Sequence, residues 1–155
     1  MKTRNFEELD FQSTTIGDLS LRRRRILSLS TDVYEIKLGD EYLMSSLFTA
    51  SEIALAELSI GAHGGSGLSV VVGGLGLGYS ARAVLQSPKV DSLLVVELLA
   101  PVLEWHRSGL LPLGQELSGD RRCRLVEGDF FSLAGSEQGF DSDLPGRLFD
   151  IILVD

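Results

Sequence analysis

Three acidic side chains in this 155-residue chain stand at or just beyond the ends of apolar runs. Glu97 closes Ser92-Leu93-Leu94-Val95-Val96, Asp129 follows Cys123-Arg124-Leu125-Val126-Glu127-Gly128, and Asp155 closes Ile151-Ile152-Leu153-Val154. A carboxylate leaving the end of a buried strand is partly desolvated; it can accept hydrogen bonds from a ligand or take a proton from a nucleophile. A fourth run, Leu68-Ser69-Val70-Val71-Val72, breaks instead into Gly73, Gly74, Gly76 and Gly78 and resumes as the helix-like Ser80-Ala81-Arg82-Ala83-Val84-Leu85. Such glycines let the backbone turn sharply and approach a ligand, and the helix that follows offers free N–H groups. This is the first turn of a nucleotide-binding unit.

Each acid then has a candidate task. Glu97 lies nineteen positions after Gly78, the spacing at which an acid ending the second strand accepts hydrogen bonds from ribose hydroxyls. Asp129 would sit beside the same crevice, meeting an adenine amino group while an aromatic such as Phe130 packs on the ring; Gly128-Asp129 is equally an ordinary turn pair. Asp155 would face the crevice and deprotonate or orient an incoming nucleophile.

Glycine spacing bears on the cofactor. Read from Gly74, a dinucleotide fingerprint needs glycine where Tyr79 stands, which disfavours a pyrophosphate seated on the helix. Read from Gly76, Gly76-Leu77-Gly78-Tyr79-Ser80-Ala81 fits G-x-G-x-x-A, so an NAD(P)- or flavin-linked oxidoreductase stays open. No Gly-Lys-Ser/Thr follows the glycines, and neither a Gly-x-Ser-x-Gly elbow nor a His-Glu-x-x-His is present. The single Cys123 and the distant His63 and His106 make no metal-ligand set, so no metal is expected.

The elements that position these residues fall into two parts. Residues 1–47 read as a hairpin or meander, with turns at Gly17-Asp18 and Gly39-Asp40 and alternating polarity over Asp32–Leu38. Residues 48–155 read as a Rossmann-like, doubly wound and mostly parallel α/β sheet in which four strands alternate with helices. Helices are expected near 49–60, 79–86 and 101–109, with Pro101 suited to a first turn. The polar loop from Gly135 to Arg147 is expected to leave Asp141 and Asp143 solvated. The chain ends on the fourth strand, so the sheet reads as the N-terminal part of a larger domain.

A composition of 44% hydrophobic and 23% charged residues suits a folded core, and no apolar stretch is long enough for a membrane span or a signal core. A cytoplasmic protein is the expectation. A net charge of −8 argues against general nucleic-acid binding and suits a cationic small molecule. Arg22-Arg23-Arg24-Arg25 runs against that balance; on a strand, alternate arginines point to opposite faces, so two of the four must be paired with acids or lie along an edge. That segment is where a homodimer could form.

Taken together, the β-rich start, Val-Val-Gly-Gly-Leu-Gly-Leu-Gly, Val-Val-Glu, Glu-Gly-Asp-Phe-Phe and Phe-Asp-Ile-Ile-Leu-Val-Asp resemble the spermidine synthase (polyamine aminopropyltransferase) family within the S-adenosylmethionine-dependent methyltransferase fold. The resemblance implies a transferase that uses S-adenosylmethionine or its decarboxylated form, with a small amine as acceptor. It places Gly74, Gly76 and Gly78 under the nucleoside and methionine-like moiety, Glu97 on the ribose, Asp129 at the adenine and Asp155 at the catalytic aspartate. The family's Tyr-His-Glu, which shapes the polyamine site, matches Ala50-Ser51-Glu52, where Glu52 alone survives, and the aspartate usual in the glycine turn is replaced by Gly76. The nucleoside half is thus better represented than the polyamine half. Aminopropyl transfer, methyl transfer to another acceptor and a non-catalytic nucleoside- or partner-binding role all remain open.

Overall fold

The computed structural model describes residues 5–155, and the chain divides between Thr49 and Ala50 into two compact units. The first is an antiparallel meander, β1 (Phe6–Thr14), β2 (Gly17–Ile26), β3 (Thr31–Leu38) and β4 (Glu41–Ser45), hydrogen-bonded in that order. A 3-10 turn over Leu27–Leu29 joins β2 to β3. The arginine run lies on β2, an interior strand rather than the edge that was one reading of it. Alternation sends Arg22 and Arg24 to one face and Arg23 and Arg25 to the other, and all four meet a carboxylate. Arg22 pairs with Glu8 at 3.8 Å, Arg23 with Glu7 at 2.8 Å, Arg24 with Glu35 at 2.6 Å and Arg25 with Asp32 at 3.2 Å. Acids on both neighbouring strands are what make an interior position tolerable for four consecutive cations.

The second unit opens with α1 (Ala50–His63) and continues as β5 (Leu68–Gly73), α2 (Tyr79–Leu85), β6 (Val90–Glu97), α3 (Ala100–Arg107), α4 (Gly114–Gly119), β7 (Cys123–Glu127), α5 (Phe130–Ala134) and β8 (Ile151–Val154). Its four strands are all parallel, in the order β7-β6-β5-β8. Helices on a parallel sheet bury both faces of the central strands, which is why β5 and β6 are near-continuous apolar runs: Val70, Val71, Val72 and Val95 are fully buried.

Two helices, α4 and α5, fall outside the expected set. α4 begins and ends on glycine and carries no helical periodicity that a sequence reading could detect. α5 is a single turn started by Asp129, whose Oδ1 accepts from the Phe131 and Ser132 amides at 3.0 and 3.1 Å.

The segment after α5 corrects another expectation. Asp141 is 1% exposed, not solvated. Arg124 and Arg147 both reach its carboxylate, the latter at 3.0 Å, and Arg147 goes on to Ser92 Oγ at 2.5 Å. Asp150 accepts from the Ser69 amide at 2.8 Å. The loop is therefore pinned to the starts of β5 and β6, the end of the sheet away from the strand carboxyl termini. Burial pushes the Asp141 pKa up, but the two guanidiniums outweigh it and hold the value down at about 2. Cys123 is pushed up to about 12 by burial and has the character of an inert packing residue. Among the described residues no helix is long and apolar enough to cross a membrane.

Candidate functional site

Strand order reverses at β5: β6 and β7 lie to one side of it and β8 to the other. The chain leaving β5 turns towards β6 at this switch point, and a crevice lies beyond the strand carboxyl ends. The register levels all four ends. Gly73 pairs with Val96 and with Val154, and Glu97 pairs with Glu127. The ladder then runs one step further, through 2.9 Å bonds from the Gly74 amide to Val96 O, Gly128 to Glu97 O and Asp155 to Gly73 O.

A cavity of about 260 Å3 occupies this crevice, lined by Gly73, Gly74, Glu97, Leu98, Gly128, Asp129, Phe130, Phe131 and Asp155 together with Val96 and Val154. Of the residues singled out from sequence, Gly74, Glu97, Asp129, Phe130 and Asp155 are brought together here. Gly76, Gly78 and Glu52 do not line the cavity.

Glu97 is 7% exposed. Its Oε2 accepts from the Leu75 amide at 2.9 Å and the Gly76 amide at 3.4 Å, and its Oε1 accepts from the Leu99 amide at 2.8 Å. The carboxylate therefore ties the glycine turn to the end of β6, and lone-pair capacity remains for ligand hydroxyls. Gly76 and Gly78 shape that turn from behind, at φ 48 and 93, backbone that L side chains rarely adopt. A Cβ on Gly78 would also meet Leu117 Cδ1 at 2.6 Å.

Asp129 uses Oδ1 for the two α5 amides, so the turn-forming and ligand-facing readings of this residue are compatible: one oxygen caps while the side chain lines the cavity. Phe130 turns towards the core, stacking on Phe140 at 4.8 Å and packing against the cluster of Val71, Leu94 and Val96. It sits so close to β5 that a Cβ on Gly73 would lie 2.6 Å from its ring. Phe131, missed from sequence, is 73% exposed at the cavity and meets Phe130 edge-on at 5.5 Å. The signal was available: successive residues of a helical turn point about 100° apart, so of two adjacent aromatics one enters the core and the other faces out.

Asp155 accepts a 2.7 Å hydrogen bond from Ser80 Oγ on α2. Burial raises its pKa, the Ser80 bond lowers it and the charge of Glu52 raises it; the net shift is upward from the ordinary carboxylate value. Glu52 thus acts on the site at a distance, from the first turn of α1, where Ser51 Oγ donates to it at 2.6 Å. Sequence reasoning also missed His106. It is fully buried on α3, and its Nε2 lies 2.8 Å from the Gly76 carbonyl.

No protein-family model matches the chain. A polyamine aminopropyltransferase of Ruegeria sp. (strain TM1040) is 29% identical over 147 residues, which is 94% of this chain and 43% of that protein. Spermidine synthase from Thermotoga maritima superposes with a TM-score of 0.72 at 17% identity, covering 96% of this chain and 46% of that one. A spermidine synthase in complex with the transition-state analogue AdoDATO gives the same TM-score and identity over 47% of its chain. The chain spans less than half the length of these relatives. In sequence it is similar to the polyamine aminopropyltransferases, and its fold, an antiparallel meander followed by a Rossmann-like parallel sheet, is that of the spermidine synthases.

Proposed function

We propose that this chain is the donor-binding part of an aminopropyltransferase that takes decarboxylated S-adenosylmethionine and passes its aminopropyl group to a small amine. One observation carries the reading: the cavity at the switch point is lined by three carboxylates, Glu97, Asp129 and Asp155, and by no lysine or arginine among the described residues. Such a wall attracts a sulfonium and a primary ammonium, and opposes the carboxylate that distinguishes S-adenosylmethionine from its decarboxylated form. The likeness to a polyamine aminopropyltransferase supports the same choice.

In this reading Glu97 holds the ribose hydroxyls, Asp129 meets the adenine, and Phe131 offers a ring face at the cavity mouth. The acceptor nitrogen attacks the carbon beside the sulfonium. The carbon–sulfur bond breaks with its electron pair staying on sulfur, leaving a neutral thioether, and Asp155 takes the amine proton. Positioning and proton removal supply most of the catalysis.

Calorimetry on the intact protein with decarboxylated S-adenosylmethionine, S-adenosylmethionine, methylthioadenosine and NAD tests this. Tighter binding of the decarboxylated donor than of S-adenosylmethionine is expected. Preference for the carboxylated form moves the reading to methyl transfer, and binding of NAD alone overturns it.

A further inference from the structure

His106 is fully buried, yet a side chain chosen only to fill space there need not carry nitrogen. A carbonyl oxygen can only accept, so the 2.8 Å contact to Gly76 requires the hydrogen on Nε2. Nδ1 is buried and has no hydrogen-bond partner among the described residues, and burial lowers the ring's pKa, so the ring is neutral with its one hydrogen on Nε2. An orphaned buried nitrogen is a cost, and the bond to Gly76 is what it accompanies.

Gly76 is held from its other side as well, since its amide donates to Glu97 Oε2 at 3.4 Å. Both polar backbone groups of one residue in an unusual conformation are thereby gripped by side chains from two different elements, the end of β6 and α3. The α3 side of this grip is closely packed. A Cβ on Gly114 would stand 2.3 Å from His106 O, so the α4 start is wedged against this turn of α3, and a Cβ on Gly78 would stand 3.0 Å from His106 Cε1.

We infer that His106 is a positioning residue: its Nε2–H fixes the Gly76 peptide and so shapes the glycine turn before any donor arrives. That the turn receives a donor nucleoside rests on the function proposed above; that His106 shapes it does not.

The test is amide hydrogen exchange over residues 75–78 of the intact protein without ligand. His106→Leu is expected to speed exchange there about tenfold or more, whereas His106→Gln, whose Nε2 amide can reach Gly76 O, stays within about threefold of the parent. Leu68→Ala, a core truncation at the far end of β5, leaves these amides unchanged. Methylthioadenosine affinity should fall about tenfold in His106→Leu and recover in His106→Gln. Unchanged exchange in His106→Leu, or equal acceleration in both variants, overturns the inference. Should His106→Leu fail to fold, the 15N shifts of the parent ring decide: a protonated Nε2 and bare Nδ1 are expected, and the opposite tautomer overturns it. A parent protein that binds no nucleoside while the exchange pattern holds sinks the proposed function and leaves the role of His106 standing.

Discussion

Ser80 Oγ donates to Asp155 Oδ2 at 2.7 Å, tying the first turn of α2 to the end of β8. In its proposed role as base Asp155 must be ionised, and its pKa is displaced upward, so kcat/KM should fall with decreasing pH along a limb centred above the ordinary aspartate value of about 3.9. Ser80 opposes the displacement and Glu52 adds to it. Ser80→Ala should move the limb to higher pH and Glu52→Gln to lower pH. Shifts in the reverse directions in the pH–rate profile would remove Asp155 from the role of base.

Asp155→Asn keeps the shape of the side chain and loses the proposed base. Turnover should drop by roughly 10²–10⁴, while donor affinity measured by calorimetry stays within a few-fold. A loss confined to affinity would make Asp155 a binding residue instead.

Glu97 accepts three backbone amides. Glu97→Ala strands them, at a cost of about 1–3 kcal/mol for each one left buried and unpaired. Denaturant unfolding should show that loss, and calorimetry at least a tenfold weaker donor. Stability and affinity both unchanged would mean that the glycine turn does not depend on this carboxylate.

Gly73→Ala places a methyl carbon 2.6 Å from the Phe130 ring and should destabilise the fold by about 1–3 kcal/mol. Phe130→Ala removes the obstacle. In a double-mutant cycle the pair should therefore be less unstable than the sum of the two single variants, and simple additivity would place the clash elsewhere.

The Asp141 pKa is held below its unfolded value, so the stability it supplies is present above about pH 4 and is lost as pH falls through about 2. Asp141→Asn should unfold at lower denaturant concentration than the parent at pH 7. That gap should close as acid protonates the parent; a gap that persists at the acid end would assign the loss to shape rather than charge.

Much of this architecture could be read from the chain because parallel strands buried on both faces leave uninterrupted apolar runs, and Val70–Val72 and Leu93–Val96 are such runs; Ile151–Val154 is equally apolar, although the edge strand β8 buries only Ile151 and Leu153. The acids that end or follow them were legible for the same reason. What escaped notice depended on three-dimensional neighbours. Nothing local distinguishes a buried Asp141 from a solvated one until Arg124 and Arg147 arrive from elsewhere in the chain. His106 reads as one more residue on an amphipathic helix, and only the fold brings it to Gly76, thirty positions earlier. Gly76 and Gly78 were recognised by type; that they shape the turn from behind while Gly73 and Gly74 face the cavity required the path of the backbone.

The four paired arginines of β2 have a consequence for how the protein responds to salt. Cross-strand ion pairs between partly exposed side chains weaken as counterions screen them, whereas the apolar interior of the parallel sheet is strengthened by salts such as sulfate that are excluded from protein surfaces. Sodium chloride screens the four pairs and should lower the melting temperature, whereas sulfate also tightens apolar cores, the meander's Leu19, Leu21, Val33 and Ile36 included, so at equal ionic strength the protein should melt higher in sulfate than in chloride.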